Sequence, residues 1–411
     1  MHAAILSIGL VIFLGHLLFA LFQRTRIPDV LLLIALGVAL GPVGLHWVRL
    51  EDFGRAGPVL TTIALVVILF EGGLGMPLAA LRRGLADGSG LALLSAAATM
   101  FLVAWIASPD LGWWPAMVLG AILSGTSSAV VLPMVGFLGL SARTRTALGL
   151  ESALTDVLTI VLPFALVPLA AGGEVSSWIV GRDVAVKFLA AVVLGWAAGW
   201  LWLRLEARAR RLRTYFSAMY AFVFVVYGAG EALSVSGAIA VLVAGITLAN
   251  PPKWWSADGA TEAVTETDRA IHGEVVFLMK LFFFVYLGLS LRFEHWGSYL
   301  LAAQLVGAVY LARTLIVRLV LPRTVPRREA AIAAVMAPKG LAAAVVASAA
   351  AELLPQGGAV VRELAFAVVL VSIVATSLAV PLLDLPGPRH LVRVLFRPFA
   401  PDAPAEPVKA P

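Results

Sequence analysis

"LSGTSSAVVLP", residues 123–133, sets five small or polar residues and then a proline inside an apolar run long enough to cross a bilayer. Such a run is expected to form one unbroken helix. Gly125 and the hydroxyls of Thr126, Ser127 and Ser128 interrupt it. Backbone at membrane depth leaves the helix only where it is buried in protein or lines a polar cavity. A second stretch, "VMAPKGLAAAV" at 335–345, has the same character. Interrupted helices at matching positions of two halves are the best sequence pointer to a transport site. Glycine and proline are also frequent in ordinary membrane helices, so the reading depends on the rest of the chain.

The composition supports it. The 411 residues are 61% hydrophobic and 13% charged, with a mean hydropathy of +0.97. A soluble domain carries about 25% charged residues. Apolar runs bounded by Arg, Pro or Gly predict about 13 transmembrane helices. They lie near 3–22, 29–46, 57–76, 89–107, 114–138, 146–170, 183–203, 214–232, 236–250, 273–291, 298–320, 328–352 and 362–384. The first run lacks a small-residue cleavage site and is expected to be a retained helix. There is no cysteine, which excludes disulfides, thiolate metal sites and cysteine nucleophiles. A net charge of +6 and a pI near 9.9 would suit a nucleic-acid partner, but the basic residues fall in short inter-helix loops, so no nucleic acid is expected.

Their distribution is a topology signal. Of the 30 Lys and Arg, 20 fall in segments on one side and six on the other, with Lys280, Arg313, Arg318 and Lys339 inside spans. The positive-inside rule gives an outside N-terminus and a cytoplasmic C-terminus in a cell (inner) membrane. An odd span count with opposite termini suits an all-α polytopic fold of two six-helix inverted repeats with broken crossing helices, joined by a linker helix. Residues 1–384 form the expected membrane unit, with core helices at about 89–170 and 273–352 and the remainder at an interface. Residues 385–411 form a short, Pro-rich cytoplasmic tail in which "RHLVRVLFRPF" is a candidate basic surface helix.

The chemistry centres on "ESALTD", residues 151–156. A charge near the bilayer centre costs at least about 2.5–3.5 kcal/mol. Asp156 lies mid-span, with Ser152 and Thr159 about one turn away on either side and Thr155 adjacent. One carboxylate with hydroxyl and carbonyl oxygens is what a partly dehydrated alkali cation needs. Burial favours the neutral carboxyl and a bound cation favours the charged one, so proton and cation compete for the same group. The alternative is a structural acid paired with a base. Glu151 fits that alternative better, with the intramembrane Arg313 as its partner. Glu71, late in the third span, either reaches the cation site or pairs with Lys339 or Arg313. Lys339, between Pro338 and Gly340, is placed to offset the C-terminal dipoles of half-helices. Lys280 and Arg318 are expected to snorkel to the interface, and His16 to be a packing residue.

Eight segments, in order, resemble the monovalent cation:proton antiporter superfamily and within it the sodium/proton exchanger branch. They are "RIPDVLLLIALGVALGPVGL", "ILFEGGLGM", "GAILSGTSSAVV", "ESALTD", "SGAIAVLVAGITLAN", "FFFVYLGLSL", "ARTLIVRLV" and "APKGLAAAVVA". The resemblance implies that Asp156 binds cation and proton and that Thr155, Ser152, Thr126 and Glu71 contribute to the ion site. It implies a structural ion pair of Glu151 and Arg313, and a homodimer whose core helices move past a dimerisation domain. Three departures stand out. Thr155 replaces the asparagine of the electroneutral branch or the second aspartate of the electrogenic one. Gly125-Thr126-Ser127-Ser128 replaces Pro-Thr-Asp-Pro and leans toward the potassium-efflux branch. Lys339 replaces arginine, which keeps the charge but loses the fork geometry.

The expectation is therefore a transporter and not an enzyme. It exchanges Na⁺ for H⁺ by alternating access, with no cofactor expected and with K⁺/H⁺ exchange of the potassium-efflux type as the alternative. A passive channel needs rings of ligands across an oligomer, and an intramembrane enzyme lacks a cysteine or a placed histidine.

Overall fold

The computed structural model describes residues 9–18, 29–48, 53, 56–75, 78–171, 177–210, 214–251, 266–291, 296–383 and 385–401. Within these the chain is helical, and its helices follow the apolar runs. The first six are α1 (Gly9–Leu18), α2 (Asp29–Leu40), α3 (Ala56–Leu74), α4 (Leu78–Leu111), α5 (Trp113–Ile122) and α6 (Ser128–Phe137). Next come α7 (Ala142–Ala170), α8 (Ser177–Ala209), α9 (Tyr215–Ala232), α10 (Gly237–Ala249) and α11 (Glu266–Ser290). The last are α12 (Trp296–Val320), α13 (Arg327–Val335), α14 (Leu341–Leu353), α15 (Gly358–Leu382) and α16 (Pro386–Leu395). Six of them are individually long and apolar enough to cross a membrane. The chain is a multi-pass membrane protein.

Two expected spans are each split. Span five becomes α5 and α6 around an extended stretch at 125–127, and span twelve becomes α13 and α14 around 336–340. The second break follows from its residues: Pro338 has no N–H to give a helix. Lying seven spans apart on an alternating chain, the broken helices run in opposite directions.

The helices sort into two packed groups. In one, α4 packs on α5, α7 and α12, α7 on α5, α6 and α14, and α15 on α12 and α14. In the other, α10 packs on α3, α8 and α9, and α11 on α2 and α3. The greater part of the expected core helix at 273–291 is α11, which packs on α2 and α3, and α15 packs on α12 and α14. Between helices in lipid there is no hydrophobic drive, so small residues set the contacts. Gly73 of α3 and Gly245 of α10 face each other, and a Cβ on Gly73 would lie 2.3 Å from the Leu242 carbonyl. His16 stacks on Phe277, at 4.6 Å between ring centres.

The described part of the tail is structured. After α16, the Ala400 N–H donates to the carbonyls of Arg323 (2.9 Å) and Val325 (3.1 Å), and the Arg327 N–H donates back to Ala400 (3.0 Å). Between α10 and α11, residues 252–265 lie outside the described residues.

Candidate functional site

The two breaks touch. The Ser127 N–H donates to the Pro338 carbonyl at 2.8 Å. The other freed groups find side chains: the Thr126 N–H donates to Thr155 Oγ1 at 3.0 Å, and the Lys339 N–H to Ser372 Oγ at 2.9 Å. This is how irregular backbone survives at membrane depth. Glycine is required at both crossings. A Cβ on Gly340 would lie 2.0 Å from Ser127 Oγ, and one on Gly125 2.0 Å from Thr159 Oγ1.

Asp156 meets the start of α6. Ser128 Oγ donates to Asp156 Oδ2 at 2.5 Å, and Ser128 is the first residue of α6. The carboxylate therefore sits at the N-terminus of a half-helix, where unpaired N–H groups and the dipole favour negative charge. Thr155, beside it, is fully buried. Its hydroxyl both accepts from Thr126 and donates to the Ser152 carbonyl at 3.3 Å. The threonine thus does for the break what an amide side chain would do in its place.

The other expected residues divide. Thr126 is buried within the break. Ser152 is buried too, but its hydroxyl donates to the Gly149 carbonyl at 2.9 Å in its own helix. Glu151 and Arg313 are brought together: both Nη groups donate to the carboxylate, Nη2 at 2.7 Å, and Arg313 Nε donates to the Ala333 carbonyl at 2.8 Å. Lys339 is buried and shares a small pocket with Ser95, Thr126 and Arg313.

Glu71 corrects the expectation. Its Oε2 lies 3.7 Å from Lys280 Nζ, so its basic partner is neither Lys339 nor Arg313. Lys280, expected to snorkel, instead pairs with Glu71 and keeps only about a quarter of its side chain accessible. Two further contacts escaped the sequence reading. Glu329 of α13 accepts from the Ser141 N–H (2.8 Å), from Ser141 Oγ (2.6 Å) and from Thr144 Oγ1, holding the start of α7. Tyr220 hydrogen-bonds His272 Nδ1 in a buried pair, with Phe70 edge-on to the histidine. The Ser-x-x-Thr spacing at 141–144 hints at the helix start, but no local signal points to an acid 188 residues away.

The pattern of the family described as "Sodium/hydrogen exchanger, transmembrane" matches residues 9–385. The chain belongs to that family. It is a family of transporters rather than enzymes. Among exchanger relatives, the K(+)/H(+) antiporter NhaP2 of Shewanella oneidensis is 27% identical over 243 residues, 57% of this chain and 42% of that protein. The K(+)/H(+) antiporter NhaP of Alkalimonas amylolytica is 29% identical over 203 residues, 48% of this chain and 34% of that protein. The matches thus span less than half the length of these curated relatives. The exchanger fold itself is matched end to end. The structure of the sodium proton antiporter MjNhaP1 from Methanocaldococcus jannaschii at pH 8 superposes with a TM-score of 0.73 at 22% identity, covering 96% of this chain and 98% of that one.

Proposed function

We propose that this chain is a secondary active antiporter in which a monovalent cation and a proton compete for Asp156. The observation that carries this is the Asp156 carboxylate held at the start of α6 by Ser128, directly beside two crossed helix breaks. A carboxylate with hydroxyl neighbours offers hard oxygen ligands to an alkali cation. Proton loss frees the carboxylate for the cation, and cation loss frees it for the proton. Alternating access then requires the group of α4–α7 and α12–α15, which holds the site, to move against the group of α2, α3 and α8–α11.

Na⁺ is the leading substrate, in line with the sodium proton antiporter whose fold this chain shares. K⁺ is the second reading, favoured by the names of the NhaP2 and NhaP relatives. Exchange is one for one and electroneutral, because the Thr155 hydroxyl beside Asp156 does not ionise at any working pH. The working form is a homodimer in a cell membrane, with an outside N-terminus.

The test is cation-driven proton flux in proteoliposomes across Li⁺, Na⁺ and K⁺. Half-saturating cation concentration should rise as pH falls, since protons displace the cation. Asp156→Asn should abolish flux and leave a folded protein, because no buried partner charge is stranded. Substantial flux in that variant overturns the reading.

A further inference from the structure

Thr159 carries a buried polar atom that the exchange cycle above leaves unused. It lies three residues beyond Asp156 on α7, is 1% exposed, and its hydroxyl has no hydrogen-bond partner. A helical threonine ordinarily returns its hydroxyl to the carbonyl four residues back. Here the Thr159 oxygen instead abuts Gly125 of the break, whose Cβ, if present, would meet it at 2.0 Å and the Thr155 carbonyl oxygen at 2.9 Å. The break therefore lies in register along α7, with Gly125 against Thr159, Thr126 on Thr155 and Ser128 on Asp156. Two of these three contacts are closed by hydrogen bonds. The third presents an open hydroxyl.

Buried polar atoms without partners are rare in native proteins and costly. A hydroxyl oxygen offers lone pairs to a hard cation, and this one sits one helical turn from the carboxylate. We propose that Thr159 Oγ1 is a further ligand of the transported alkali cation. It completes an oxygen set with Asp156 as the ion sheds water, and so sets the preference among alkali cations. Loss of this oxygen should penalise Na⁺ and K⁺, which take more ligands, over Li⁺. The proposal rests on the reading of Asp156 as the cation site.

The experiment compares Thr159→Val, Thr159→Ser and Asp156→Asn in purified, reconstituted protein. It reads half-saturating concentrations of Li⁺, Na⁺ and K⁺, and the thermal stabilisation each cation gives in detergent, a binding readout independent of flux. Thr159→Val should raise the half-saturating Na⁺ concentration on the order of tenfold and weaken its stabilising effect in step. Its cation-free stability should equal or exceed that of the parent, since a buried unpaired hydroxyl is gone. Thr159→Ser should stay within about twofold of the parent. Parent-like cation dependence in Thr159→Val overturns the proposal. So does loss of folding in both Thr159→Val and Thr159→Ala, which would make the residue structural. If Asp156→Asn is inert while Thr159→Val is parent-like, the Asp156 site stands and only the Thr159 assignment falls.

Discussion

Glu151 and Arg313, 162 positions apart in sequence, meet as a two-pronged ion pair from which solvent is excluded. Arg313 also bonds the Ala333 carbonyl, so the pair ties α7 and α12 to the end of α13, just before the break.

Removing one member strands a buried charge, which typically costs about 3–5 kcal/mol, whereas removing both costs less. Glu151→Ala should therefore lower the melting temperature in detergent more than Glu151→Ala with Arg313→Leu. Simple addition of the two single losses would show that the pair is uncoupled.

Thr155→Val should leave the Thr126 N–H without an acceptor, at a cost of about 1–3 kcal/mol. Thr155→Ser keeps the oxygen and should keep both stability and exchange. Equal melting temperatures for the valine and serine variants would show that the bond to Thr126 contributes nothing.

How much of this was legible in the sequence depends on the dimension each feature needs. The spans follow from apolarity and length along the chain, and among the described residues each of the thirteen overlaps a helix or a helix pair. The breaks follow from Gly125 and Pro338. Asp156, Glu151 and Arg313 stand out because charge is so costly in hydrocarbon. What a charge faces depends on rotation about the helix axis and on the neighbouring helices. Apolarity along the chain carries neither. Hence Lys280 reads as a snorkelling residue when it pairs with Glu71, and the Glu329 cap on Ser141 leaves no trace in the sequence.

The Glu71–Lys280 pair is partly exposed, with side chains 38% and 26% accessible, so a double-mutant cycle should give a coupling of about 1 kcal/mol or less. One-for-one exchange predicts a Na⁺ flux that does not change when membrane potential is clamped with potassium and valinomycin. Acceleration by imposed voltage would mean that a second ionisable group also cycles its proton.

Gly340→Ala should abolish exchange, because its Cβ would lie 2.0 Å from Ser127 Oγ and 2.4 Å from Ser127 Cβ. Adding Ser127→Gly removes both obstacles and leaves Ser127 Cα at 3.5 Å, an ordinary contact distance. The double variant should recover folding and measurable flux. A fully active Gly340→Ala would show that the crossing is looser than this.

The bond from Ser127 to Pro338 also bears on ancestry. It joins two segments that occupy matching places in opposite halves of one chain. A lone half would hold an unanswered N–H or carbonyl in hydrocarbon, a cost of several kcal/mol for each group. A gene encoding only one half would thus have needed a second copy of its product, inserted upside down, before either was stable. Fusion of the two would have made that partnership permanent, and it would also have freed the halves to diverge, so that proline and lysine stand at one break where threonine and serine stand at the other.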